Sequence, residues 1–154
     1  MYKKILIAVD GSETSKKALD AALQMAKESG GSVQLIHVVN ELSYFSGYES
    51  YGAQLAEVIE IAQKVGHKIL DDAMDAATVA GVAAERVFVE KYGEALGDSV
   101  AAAATRFGAD LIVVGTHGRR GMGRLLLGSG AEQIIRFAPI PVLVVRTPAA
   151  KMAV

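Results

Sequence analysis

The residues with the clearest chemical potential form one run: Gly115-Thr116-His117-Gly118-Arg119-Arg120-Gly121-Met122-Gly123-Arg124-Leu125-Leu126-Leu127-Gly128-Ser129. It follows the strand-like tetrad Leu111-Ile112-Val113-Val114 and leads into a short helical pattern, Ser129 to Phe137. Glycines let backbone amides come close to a ligand. A helix start offers N–H groups without intrahelical partners, and its dipole favours negative charge. A strand feeding a glycine loop feeding a helix start is a common way of holding phosphate without a dedicated cation. Each hydrogen bond to a charged phosphate contributes roughly 1.5–3 kcal/mol. A plainer reading stands beside this one. Ser129 and Glu132 match the S-x-x-E capping box, which would simply start the helix, and glycines at strand ends also serve tight turns.

The familiar nucleotide motifs do not fit. No G-x-x-x-x-G-K-[ST] is present, and Gly121-x-Gly123 lacks the third glycine of a dinucleotide fingerprint. His117 could offer an imidazole N–H to phosphate, although a lone loop histidine is more often solvated. Arg119, Arg120 and Arg124 bring positive charge, or simply face water. His37 and His67 show no metal-ligand spacing. With 0 Cys there is no disulfide framework and no thiolate metal site. Phosphoryl transfer needs a positioned nucleophile, metal ligands and charge stabilisation. The acids nearest the loop are Asp10 and Glu132, and each has a structural role to fill at a helix start.

The elements that must position this loop are legible as alternating patterns. Ile5–Val9, Ser32–Val39, Val87–Val89, Leu111–Val114 and Val142–Val145 are short apolar runs, suited to strands buried on both faces. Pro141 starts the last, where a missing amide hydrogen is tolerated. Helical periodicity fills the gaps. Glu13–Glu28 carries Ala18, Leu19, Ala22, Met25 and Ala26 on one face and stops at Gly30-Gly31. Gln54–Ala80 keeps a period near 3.6 through Leu55, Val58, Ile59, Ala62, Val65, Ile69, Ala73 and Ala77. Glu94–Phe107 groups Leu96, Val100, Ala103 and Phe107, and Ser129–Phe137 points Ile134 and Ile135 inward. Strands separated by helices call for parallel pairing with right-handed crossovers, a doubly wound α/β sandwich. The irregular stretch Asn40–Ala53 carries Tyr44, Phe45, Tyr48 and Tyr51; a loop of this length is often functional, or else a connection whose rings lie on the surface.

At 154 residues the chain is expected to form one domain, spanning 1–154. Its 17 acidic and 16 basic residues argue against a nucleic-acid partner or a polybasic membrane surface. Asp10 ends the first apolar run too early for a signal peptide, and no apolar stretch nears the ~18 residues of a membrane span. Tyr2 and the cysteine-free end offer no lipid attachment. A cytoplasmic protein is the expectation.

Gly115-x-x-Gly118, nine residues, then Gly128-Ser129 is the G-2x-G-9x-G-[S/T] spacing of the ATP-binding branch of the universal stress protein family, which this chain resembles. Lys4-Ile5-Leu6-Ile7-Ala8-Val9-Asp10-Gly11-Ser12 resembles that family's first strand and Pro141-Val142-Leu143-Val144-Val145-Arg146 its last. The resemblance implies a five-stranded parallel sheet ordered 3-2-1-4-5, adenine nucleotide alpha hydrolase-like, usually in a homodimer. In that order the winding reverses between strands one and four, where ligands bind at the carboxyl ends. It implies ATP as ligand, with an ion such as magnesium or manganese beside the phosphates. Ala8 and Val38 would line the adenine pocket, and Asp10 would lie near the ribose, whose hydroxyls a carboxylate can accept. Gly115, Thr116, His117, Gly118, Arg119, Gly128, Ser129 and Gly130 would form the phosphate loop. Gly130 departs from the valine often found there, and Gly123 adds flexibility. The expected function is a nucleotide-dependent regulatory module in stress response, with slow hydrolysis at most. The competing reading is an enzyme that hydrolyses ATP or transfers a phosphoryl or adenylyl group. An apolar edge strand, Val142–Val145, is expected to pair with its twin in a closed dimer.

Overall fold

The computed structural model describes residues 1–40, 52–116 and 127–147. The chain alternates β1 (Lys4–Ala8), α1 (Glu13–Ser29), β2 (Ser32–Val39), α2 (Gly52–Ala80), β3 (Ala83–Glu90), α3 (Leu96–Phe107), β4 (Leu111–Gly115), α4 (Ser129–Phe137) and β5 (Val142–Val145). All strand pairs are parallel, and the sheet order is β3-β2-β1-β4-β5. The doubly wound α/β class and the 3-2-1-4-5 order are therefore as expected.

Alternation along the strands divides the core in two. Ile5, Ile7, Val9, Val33, Leu35, Leu111 and Val113 pack with α1 and α2 on one face of the sheet. Leu6, Ile36, Ile112 and Val114 pack with α3 and α4 on the other. The central strands are apolar on both faces because both faces are covered. At the amino end, Asp110 clips β1 to β4: its carboxylate accepts the Lys3 and Lys4 amides at 2.8 and 3.1 Å, while its own N–H donates to the Lys4 carbonyl at 2.8 Å. The carboxyl ends of the two strands are brought level by this register, with Ile7 opposite Val113.

Several details differ from the sequence expectation. β3 runs from Ala83 rather than Val87, because it is an edge strand whose first half, Ala83–Arg86, pairs with Ser32–Leu35 while Glu85 and Arg86 face solvent. α3 starts at Leu96, two residues after Glu94, with Ala95 as its cap. In α4, Ile134 is buried but Ile135 is 43% exposed; neighbouring helix positions lie about 100° apart, so a short helix on one sheet face buries only one of them. The aromatic segment with Tyr44, Phe45, Tyr48 and Tyr51 lies outside the described residues.

Candidate functional site

Side chains of a strand alternate between faces. Ala8 and Val38 consequently both pack on the α3/α4 side of the sheet, against the Leu6–Ile36–Val114 core. Thr116, two residues past Val114, is buried, and its Oγ1 has no hydrogen-bond partner among the described residues. Its backbone is held at both ends. The Thr116 N–H donates to the Val145 carbonyl at 2.9 Å, and its carbonyl accepts the Gly128 N–H at 2.6 Å. The start of α4 is thus tied to the ends of β4 and β5. His117, Gly118 and Arg119 lie outside the described residues.

The N-cap of α4 is Gly128, with φ −60° and ψ 150°, and no side chain among the described residues caps the helix. The capping box that Ser129 and Glu132 match by spacing, the plainer alternative, does not form. The cap falls one residue earlier, so exposed Ser129 is the first helical residue, and the Glu132 carboxylate accepts from Arg136 instead, at 2.9 Å. Among the described residues, the first-turn amides of α4, those of Ser129 and Gly130 included, therefore lack a side-chain acceptor of the kind a Ser or Asp cap would supply.

Asp10 sits just past β1. Its Oδ1 accepts the Ser12 N–H at 2.8 Å, and its own N–H donates to Ser15 Oγ at 3.1 Å. Gly11, at φ 81°, makes the turn into α1, a backbone conformation that favours glycine. Gly115 lies across from this turn. A Cβ there would sit 2.8 Å from the Thr14 carbonyl carbon and 2.9 Å from its oxygen, so Gly115 allows the first turn of α1 to rest directly on β4. That packing reason for the glycine stands apart from any ligand.

The universal stress protein family model matches residues 1–146. The chain belongs to the universal stress protein family. It is 35% identical to universal stress protein YxiE of Bacillus subtilis, over 95% of this chain and 100% of that one. Among solved structures it is similar to a universal stress family protein from Burkholderia pseudomallei, at 33% identity and TM-score 0.75, covering 94% of this chain and 96% of the other. It is also similar to a universal stress protein solved in complex with cAMP, at 26% identity and TM-score 0.62, covering 94% of this chain and 97% of that one. The universal stress protein architecture thus extends across nearly the whole chain.

Within this family fold, a shallow depression lies farther along the carboxyl edge, lined by Lys91, Tyr92, Gly93, Glu94, Ala95 and Asp98. Asn40 braces its rim, donating Nδ2–H to the Glu94 carbonyl at 3.2 Å and accepting the Gly93 N–H at 3.4 Å. Partial burial, and after it the Glu90 carboxylate, pushes the Tyr92 hydroxyl above its ordinary pKa. Among the described residues no group of three or more His, Cys, Asp or Glu could hold a metal ion, and no helix is long and apolar enough to cross a membrane.

Sequence reasoning missed two residues of this region. Ser15 and His37 both bond the backbone around Asp10, Ser15 from α1 and His37 from β2. Ser15 reads as an ordinary helix residue. His37 reads as an isolated histidine, because its partner is the main-chain carbonyl of Val9, just past β1, and carbonyls leave no mark in a sequence.

Proposed function

We propose that this universal stress protein binds an adenine nucleotide, ATP in the first instance, at the carboxyl ends of β1 and β4, and works as a nucleotide-dependent regulatory module in stress response. One observation carries the reading: α4 starts without a side-chain cap, beside a buried Thr116 hydroxyl that has no partner among the described residues. Helix amides and an unpaired hydroxyl are the donors that a phosphate would take up. The similarity to a universal stress protein solved with cAMP supports the choice of an adenine nucleotide. In this reading Ala8 and Val38 flank the base, Asp10 accepts from the ribose, and Thr116, Gly128, Ser129 and Gly130 serve the phosphates together with His117, Gly118 and Arg119. Magnesium or manganese would enter on the phosphate oxygens, as divalent ions in nucleotide sites generally do. Hydrolysis is slow at most in this proposal, since Asp10 Oδ1 is engaged by the Ser12 amide and Glu132 by Arg136.

Mass spectrometry of nucleotide released from gently purified protein is expected to find ATP or a relative of it. Calorimetric titration is expected to show ATP affinity lost in a folded Gly128→Val variant; an unchanged affinity would overturn the assignment. Phosphate release at many turnovers per second would replace the regulatory module with an ATPase. We further propose a homodimer through β5, an edge strand whose Leu143 is 37% exposed. Sedimentation at micromolar concentration is expected to show the dimer, and a monomer there would remove it.

A further inference from the structure

The peptide group joining Val9 to Asp10 is gripped at both ends by side chains from different elements. The Val9 carbonyl lies 2.7 Å from His37 Nδ1 on β2. A carbonyl oxygen only accepts, so Nδ1 carries the hydrogen and donates it. At the other end, the Asp10 N–H donates to Ser15 Oγ of α1 at 3.1 Å. Ser15 is itself buried, at 4% exposure, and the His37 ring is held from the far side. Phe88 stacks near it with centroids 6.1 Å apart, and His67 of α2 stacks on Phe88 at 4.3 Å. Arg86 in turn bonds His67 Nδ1 at 3.2 Å and pairs with Asp71. Gly66 leaves room for this stack, since a Cβ there would stand 2.6 Å from Phe88 and 2.7 Å from His37 Cδ2.

We infer that His37 and Ser15 are positioning residues that set the plane of the Val9–Asp10 peptide and so aim the Asp10 carboxylate at the ribose. The inference rests on the proposed ribose role of Asp10. The peptide plane fixes the N–Cα bond of Asp10, the axis about which its Cα–Cβ bond is set. The Ser12 amide then fixes the carboxylate by Oδ1, and Oδ2 has no hydrogen-bond partner among the described residues. By strand alternation His37 works from the α1/α2 face, behind the surface where Ala8 and Val38 lie. It aims a ligand-contacting side chain without itself meeting the ligand.

The test compares the affinity of ATP with that of its analogue lacking both ribose hydroxyls, by calorimetry, in the full chain. The wild type is expected to prefer ATP by about tenfold, the worth of one charge-assisted hydrogen bond. Asp10→Ala is expected to abolish this preference. His37→Leu and Ser15→Ala are expected to shrink it several-fold while leaving the affinity of the ribose-deficient analogue nearly unchanged. His37→Asn, whose amide can replace the Nδ1–H donor, is expected to restore it. A merely structural loss would weaken both ligands together and leave their ratio intact, and that result would overturn the inference. If His37→Leu does not fold, Ser15→Ala decides, since it releases the other end of the same peptide. If Asp10→Ala keeps the wild-type ratio, the ribose role of Asp10 fails and the positioning role falls with it. If Asp10→Ala loses the ratio while His37→Leu and Ser15→Ala keep it, only the positioning role fails.

Discussion

Of the helices that begin at the carboxyl end of the sheet, α1 and α4 lie on opposite faces and are finished in opposite ways. At the start of α1, Ser12 Oγ accepts the Ser15 N–H at 3.2 Å and Asp10 Oδ1 accepts the Ser12 N–H at 2.8 Å. Glu13 adds a negative charge in the first turn. At the start of α4 stands Gly128, which has no side chain to offer, and the first-turn acid, Glu132, is turned toward Arg136. The dipoles and open amides of the two helices are alike. One helix has been given its own acceptors, so an arriving anion has little to gain there. The other starts on a glycine that supplies no such acceptor. In the proposed reading the residue at the cap sets the α4 start apart from that of α1, and each start can be converted toward the other.

The largest effect is expected from giving α4 what α1 possesses. At φ −60° and ψ 150° the backbone of Gly128 is open to any residue, so its glycine is not required by conformation. Gly128→Asp should place a carboxylate over the first-turn amides, where it competes with phosphate by hydrogen bonding and repels it by charge. ATP affinity should fall about 100-fold, roughly 2.7 kcal/mol, while the melting temperature holds or rises. Titration calorimetry with a thermal melt reads both. An affinity equal to the wild type would mean that the α4 amides do not hold the phosphates.

Next in size is the contact on which the α1 start rests. Gly115 belongs to the glycine spacing of the loop, yet its missing side chain faces Thr14 rather than the α4 start. Gly115→Ala would force a methyl group to within 2.8 Å of backbone in α1, and such overpacking typically costs about 1–3 kcal/mol. Urea unfolding should show a loss of about 2 kcal/mol. ATP affinity per folded molecule should change less than in Gly128→Asp. The reverse pattern, stability kept and affinity lost, would show that Gly115 serves the ligand and not the packing.

These two glycines show where a sequence is readable and where it is not. The alternation of Ile5–Val9, Ser32–Val39, Leu111–Val114 and Val142–Val145 with amphipathic helices was sufficient for the fold, because strands covered on both faces must be continuously apolar. β3 was half hidden, since an edge strand carries Glu85 and Arg86 to solvent without losing its ladder. Ser129 was visible as a cap residue by spacing, but a box motif shifted by one position cannot be told from a real one until the chain is placed. The stretch around Asp10 was legible as a strand end. The grip of His37 and Ser15 on it was not, because it depends on a carbonyl and an amide brought together across three elements.

A smaller effect is expected from undoing the α1 cap. Ser12→Ala removes the acceptor of the Ser15 amide, and loss of such a cap costs about 1 kcal/mol. The melting temperature should drop by a few degrees, as about 1 kcal/mol does in a domain of this size. No drop at all would mean that solvent caps α1 as well as serine does, and the contrast between the two helix starts would lose its energetic basis.

The finest test concerns the first turn of α4 itself. Gly130 is helical, so replacing it with alanine removes backbone freedom from the unfolded chain and should favour the helix by up to about 1 kcal/mol. Against this, the new Cβ would lie 3.0 Å from Leu96 Cδ2, tighter than an ordinary contact. That atom is the end of a flexible side chain in α3, half-buried rather than locked in the core, so it can give way by a few tenths of an ångström at small cost. Gly130→Ala should therefore stabilise the protein by about 0.5 kcal/mol, and it keeps the backbone amide that a phosphate would use. A stiffer first turn presents its amides with less entropy to lose, so ATP affinity should stay level or rise up to about twofold. Stability gained with affinity sharply lost would show instead that the α4 start must deform around its ligand.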